Sequence, residues 1–112
     1  MHAEVTSEKV ALGWYLDGKV TAVVGTHTHV PTADGRVLPG GTAYVSDVGM
    51  TGGRGGVIGV RREQAIESLL TQLPVRFETA EEDPWINAVL IRASRPRRAD
   101  AIEQLLLPAP EA

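Results

Sequence analysis

Val20-Thr21-Ala22-Val23-Val24-Gly25-Thr26-His27-Thr28-His29-Val30 reads as a buried strand that runs out into two histidines one residue apart. A strand sends residues i and i+2 to the same face, so the spacing predicts His27 and His29 side by side at the strand end, with Thr28 facing away. Two imidazoles set that way suit one metal ion or two adjacent ones. The plainer alternative is a pair of histidines on a solvated strand edge.

Upstream, Ser7 to Asp17 places Val10, Leu12, Trp14, Tyr15 and Leu16 among charged neighbours, which predicts a helix with Thr6 or Ser7 as N-cap and Gly18 as its stop. Downstream, Ala33-Asp34-Gly35-Arg36 carries a hairpin-type Asp-Gly turn that returns the chain as a short strand at Val37-Leu38. Pro39-Gly40-Gly41 is a break, and Thr42 to Val48 is a second buried strand with Asp47 near its end. The glycine-rich run from Gly49 to Gly59 lacks the Walker spacing. Gly53-Arg54-Gly55 resembles the opening of a dinucleotide fingerprint but does not continue as one, so an ordinary connection is expected.

The clearest helix runs from Arg62 to Leu73, where Ala65, Ile66, Leu69, Leu70 and Leu73 recur at helical spacing before Pro74. Val75 to Thr79 alternates as a strand, Ala80 to Pro84 is an acidic turn, and Trp85 to Ala93 is strand-like and able to pair with the preceding strand as a hairpin. Arg97 to Leu107 is expected to close the fold as an amphipathic helix. Arg95, Arg97 and Arg98 make a basic patch at its start, and Pro108 to Ala112 form a frayed tail.

The 112 residues fit one domain, and an apolar fraction of 43% with only 4% aromatics leaves Val, Leu, Ile and Ala to fill the core. A net charge of −3 offers no broad nucleic-acid surface, so a phosphate-bearing substrate needs a localised site. The absence of cysteine removes disulfides and thiolate chemistry and fits a cytoplasmic address. No apolar stretch approaches the roughly 20 residues that span a bilayer, so no membrane partner is expected. Met1 is followed at once by His2-Ala3-Glu4, which reads as a chain beginning inside a fold.

The ordered set His2-Ala3-Glu4, Thr6-Ser7-Glu8-Lys9, Gly13-Trp14-Tyr15-Leu16-Asp17-Gly18, Gly25-Thr26-His27-Thr28-His29-Val30 and Leu38-Pro39-Gly40-Gly41-Thr42-Ala43-Tyr44 resembles the bacterial YmdB-like branch of the calcineurin-like metallophosphoesterases. The likeness continues through Asp47-Val48-Gly49-Met50-Thr51-Gly52 and Leu73-Pro74-Val75-Arg76-Phe77, covering at least residues 2 to 78. It implies an α/β fold, a two-sheet sandwich flanked by helices, of which this chain is the C-terminal half and a single partial domain. It further implies a centre of two divalent ions, iron or manganese, that hydrolyses phosphodiesters including cyclic nucleotides. Carried over by motif, His2 and His27 bind one metal and His29 the other.

The Asp ligand, bridging carboxylate and Asn-His pair that open the family's pattern are missing here. Three histidines without a bridging carboxylate do not hold two cations close together against their repulsion. Glu4, Glu8, Asp34 and Asp47 lie near in sequence, and the resemblance assigns none of them a ligand role. The expectation is therefore a truncated metal-dependent phosphodiesterase, inactive alone and inclined to self-associate through exposed strand edges. A non-catalytic metal-binding or assembly module is the competing reading.

Overall fold

The computed structural model describes residues 1–110 and forms two three-stranded sheets with two helices. In the first sheet, β1 (Ala22–Val24) pairs in parallel with β3 (Ala43–Val45), with Val23 opposite Tyr44. β2 (Arg36–Val37) joins the other side of β3 in antiparallel register, giving the order β1-β3-β2. The Asp-Gly turn therefore does not fold β2 back onto β1. Pro39-Gly40-Gly41 makes the hairpin instead: the Leu38 amide donates to Thr42 O at 2.8 Å, Gly41 adopts φ 103°, and the Asp17 carboxylate accepts from the amides of Gly40 and Thr42. Asp34, expected in a turn between strands, accepts from the amide and hydroxyl of Ser46 and the hydroxyl of Thr32.

α1 (Thr6–Leu16) lies against this sheet. Its N-cap is Val5, with no side-chain bond, rather than Thr6 or Ser7, and it stops at Asp17 and Gly18, the latter at φ 81°. The helix buries Lys9 and Gly13, four residues apart on one face. A Cβ at Gly13 would stand 2.6 Å from the Tyr44 ring, so the missing side chain is what lets helix and sheet meet. Val23, Leu38 and Tyr44 form the core with Val10, Leu12, Leu16 and Val20 packed around them. Trp14 and Tyr15 lie outside it, exposed, with Arg36 and Lys19 over their respective rings.

The second sheet has the order β4-β5-β6, from β4 (Gly52–Gly53), β5 (Pro84–Arg92) and β6 (Ala101–Pro108). Its third strand replaces the helix expected over Arg97 to Leu107. The short apolar run Leu105-Leu106-Leu107 fits either period, and the eight-pair register from Trp85↔Pro108 to Arg92↔Ala101 decides the matter through non-local pairing. Arg95, Arg97 and Arg98 consequently sit in the hairpin turn, with Arg97 at φ 63°. Residues 75–79 do not form a strand: Thr79 alone bridges to Val60, Phe77 is exposed, and β5 takes β6 as its partner. Pro108 is paired and the Ala109 amide donates to Pro84 O at 2.8 Å, so neither of these residues frays as expected; Glu111 and Ala112 lie outside the described residues.

α2 (Arg62–Thr71) forms where the periodicity predicts and ends on Gln72 in the left-handed conformation, ahead of Pro74. Its apolar stripe is uncovered, with Leu69 and Leu70 77% and 80% exposed and Ala65 its one buried residue. The sheets are tied by the Gln104 amide donating to Thr32 O at 2.7 Å and the Ala99 amide donating to Gly41 O at 2.7 Å. The expected α/β arrangement of two sheets with flanking helices is thus present on a small scale. No described helix is long and apolar enough to cross a membrane.

Gly25 extends the β1–β3 ladder by one step, its amide donating to Val45 O and its carbonyl accepting from Val48. A Cβ there would fall 2.0 Å from Ser46 O, whereas one at Gly35 meets only the Gln104 side chain at 3.6 Å. Gly25→Ala is expected to destabilise the fold by at least about 1–3 kcal/mol and Gly35→Ala by under about 0.5 kcal/mol, measured by urea unfolding.

Candidate metal centre

The chain leaves β1 at Val24 and does not continue as a strand through the histidines. His27 and His29 take φ of 145° and 70°, so the alternation that would set them side by side is lost. Non-glycine residues held at positive φ cost on the order of 1–3 kcal/mol each and persist only where surrounding bonds over-determine them. Those bonds are present. The Thr28 amide donates to Asp47 Oδ2 at 2.7 Å, the Gly49 amide donates to Asp47 Oδ1 at 2.8 Å, and Lys9 Nζ donates to Thr26 O at 3.0 Å.

Lys9 and Asp47 are 1% exposed each and stand 3.6 Å apart. Burial works against ionisation of Asp47, but the Thr28 and Gly49 amides and the Lys9 ammonium outweigh it and hold the carboxyl below its ordinary 3.8. A buried cation and anion thus grip the histidine loop from beneath, one through Thr26 and the other through Thr28. Helical periodicity alone does not single out Lys9. Its signal in the sequence is a lysine four positions before Gly13, on the face that the glycine marks as close-packed.

His2 arrives from the N-terminal segment. The Met1 ammonium donates to Val24 O at 2.8 Å and the Thr26 amide to Met1 O at 2.9 Å, so residues 1–3 run parallel to the loop with His2 beside Thr26. Nδ1 of His2 lies 3.0 Å from the Thr26 hydroxyl, and its Nε2 lies 3.2 Å from Nδ1 of His27. The rings meet edge-on with centroids 5.0 Å apart. The Thr26 hydroxyl leans 3.5 Å toward Met1 O as a donor, which favours the proton on His2 Nδ1 and leaves Nε2 to accept from His27.

Two nitrogens bound to one mid-row divalent ion at about 2.1 Å, with about 90–110° between them, are roughly 3.0–3.4 Å apart. The His2–His27 spacing of 3.2 Å falls inside that range, and an ion placed there would take the position of the proton between the two nitrogens. His29 is not part of the pair. Its Nδ1 donates to Ile58 O at 2.9 Å, which fixes the tautomer and presents the Nε2 lone pair elsewhere. Among the described residues no three His, Asp or Glu side chains converge. Asp34 and Asp47 are consumed by amide and hydroxyl donors, and Glu4 and Glu8 are exposed.

The family model of YmdB-like proteins matches residues 1–105, which extends the likeness past residue 78 and through most of β6. The chain is 54% identical over 107 residues to a 2′,3′-cyclic-nucleotide 2′-phosphodiesterase of Bacillus subtilis (strain 168), a match that covers 95% of this chain and 40% of that protein. A crystal structure of a hypothetical protein from Thermus thermophilus superposes with a TM-score of 0.89 at 44% identity, over 97% of this chain and 43% of that one. A phosphatase structure from Mycoplasma pneumoniae does so with a TM-score of 0.84 at 39% identity, over 97% of this chain and 40% of that one. The chain therefore spans about two fifths of the length of these relatives.

Removing the charge on Asp47 strands Lys9 in the interior, so Asp47→Asn is expected to cost about 3–5 kcal/mol in urea unfolding. Folding lowers the pKa of Asp47, so its contribution is complete above 3.8 and is lost as pH falls through the lower folded value. The stability of Asp47→Asn should accordingly fall less steeply with acid below about pH 4 than that of the unsubstituted chain.

Proposed function

The chain belongs to the YmdB-like protein family, and from that membership we propose that it supplies the histidine ligands of a metal-dependent phosphodiesterase acting on cyclic nucleotides or related phosphodiesters. The observation that carries the reading is the 3.2 Å separation of His27 Nδ1 and His2 Nε2, oriented by Thr26 and matched to one divalent ion. His2 and His27 hold that ion in this proposal, and His29, oriented by Ile58 O, offers Nε2 to the second ion of an iron or manganese pair. Such ions, when bound, supply Lewis acidity and a water of lowered pKa for attack at phosphorus.

The work of this chain's own residues is positional. Thr26 and the Ile58 carbonyl set tautomers, while Lys9 and Asp47 keep the backbone between the histidines from relaxing. Two converging imidazoles without a carboxylate retain a cation weakly, so turnover in this proposal requires the further ligands of a longer protein. The uncovered Leu69 and Leu70 on α2 agree with a piece that packs on additional structure, and also with the second reading, a non-catalytic metal-binding or assembly module. A cytoplasmic setting agrees with the cysteine-free composition.

The two readings separate in a manganese-dependent assay on bis(p-nitrophenyl) phosphate and a 2′,3′-cyclic nucleotide. The chain is tested alone and combined with the complementary segment of the Bacillus relative. The expected outcome is no turnover alone, turnover in combination, and a loss of at least about a hundredfold on His27→Ala. Robust hydrolysis by the chain alone overturns its partial character. A combined protein that binds manganese through His2 and His27 but hydrolyses no phosphodiester favours the module.

A further inference from the structure

We infer that the Val57–Val60 turn and Asn87 are positioning elements for His29, and that the second sheet supports this ligand separately from the His2–His27 pair. The inference rests on the phosphodiesterase proposed above for what His29 does with its free nitrogen, and on the bonds around the residue for everything else.

The turn is strained. Val57 and Val60 exchange both backbone hydrogen bonds, at 2.8 and 2.9 Å, which closes a two-residue loop over Ile58 and Gly59. Both central residues have positive φ, 42° at Ile58 and 93° at Gly59, the pattern of a type I′ turn that asparagine and glycine ordinarily fill. A β-branched residue in the left-handed region is an outlier that persists only where its surroundings impose it. Burial does not account for this one, because Ile58 is 54% exposed. What the conformation delivers is the Ile58 carbonyl, which accepts from His29 Nδ1 at 2.9 Å.

The second sheet holds the turn in place. Beyond β4, the Arg54 amide donates to Asp83 O at 2.9 Å and the Gly55 amide to Glu82 O at 3.0 Å, and the Ala80 amide donates to Gly59 O at 2.9 Å. The Asp83 carboxylate also accepts from Arg54 Nε at 3.0 Å and from Trp85 Nε1 at 2.9 Å. The Arg54 guanidinium lies over the Trp85 ring, its carbon 3.6 Å from the centroid. That stack pins the stem of the turn to β5 where the stem leaves the sheet.

β5 reaches His29 by a second route. Asn87 Nδ2 donates to Met50 O at 2.6 Å, and the Met50 amide donates to His29 O at 3.2 Å. The Met50 sulfur also stands beside the turn, 3.3 Å from where a Cβ on Gly59 would lie. The ring of His29 is thus aimed by Ile58 and its backbone by Asn87 through Met50, both borne by the β4–β5–β6 sheet. His2 and His27 depend instead on Thr26, with Lys9 of α1 and Asp47 beyond β3 beneath them. The two sets of ligands therefore have separate supports.

The test reads the tautomers of the three histidines in the metal-free chain by long-range proton–nitrogen correlation NMR, so it does not depend on catalysis. His29 is expected to carry its proton on Nδ1. Gly59→Val, which does not tolerate the left-handed φ, is expected to erase that signature and leave those of His2 and His27 in place. Asn87→Ala is expected to shift His29 just as selectively, and serves alone if Gly59→Val misfolds. Ile58→Asn suits the left-handed region and keeps the carbonyl, so it is expected to preserve the signature and raise the urea midpoint. In a manganese titration of the combined protein, Gly59→Val or Asn87→Ala is expected to keep one site and weaken the other about 10–100-fold.

A His29 signature untouched by both Gly59→Val and Asn87→Ala, three histidines that change together, or loss of the signature in Ile58→Asn overturns the inference. Equal weakening of both manganese sites does the same. Selective change at His29 in a combined protein that hydrolyses no phosphodiester leaves the positioning standing and removes the reading beneath it. Hydrolysis by a combined protein whose His29 neither variant moves does the reverse.

Discussion

The buried pair of Lys9 and Asp47 is the constraint on which the histidine loop depends. Taking both charges out of water is expensive, and their mutual attraction repays the cost only because each also meets backbone groups that would otherwise be unpaired. Those groups belong to Thr26 and Thr28, which flank His27, and to Gly49 beyond the end of β3. An aliphatic pair of similar volume would fill the same space but leave the loop amides and carbonyl without partners. The polar pair therefore specifies a conformation that apolar packing alone does not dictate.

Much of the fold was legible because it is local. α1 and α2 announce themselves by period and by Gly18 and Pro74, and β1 and β3 by short uncharged runs. The misread strands share one cause, which is that residues outside the local window decide how they pair. β2 chooses β3 over β1 because Asp17 shapes the Pro39-Gly40-Gly41 turn, and β6 is a strand because β5 offers eight matching positions. Neither Asp17 nor β5 lies in the window from which those segments were read.

The site was legible as a list of residues and illegible as a geometry. The His-x-His spacing and the early His2 name three residues of which the structure brings two together, and alternation along a strand was the wrong rule once the chain turned at Gly25. The loop brings His27 to His2 and sends His29 to Ile58, a division of labour that a period of two cannot express. The Asp83–Arg54–Trp85 stack escaped notice for a similar reason, because Arg54 looked like part of a glycine-rich connection and Asp83 like part of an acidic turn.

The bonds that aim the imidazoles join residues far apart along the chain: 24 positions for His2 and Thr26, 17 for Lys9 and Thr26, 19 for Thr28 and Asp47, 29 for His29 and Ile58. Each closes a long loop whose entropy is lost before the bond can compensate it, unlike the tight turns between β2 and β3 or β5 and β6. The histidine arrangement is thus a late product of folding and an early casualty of partial unfolding. The contact between His2 and His27 becomes a sensitive reporter of whether residues 2 to 58 have reached their native topology.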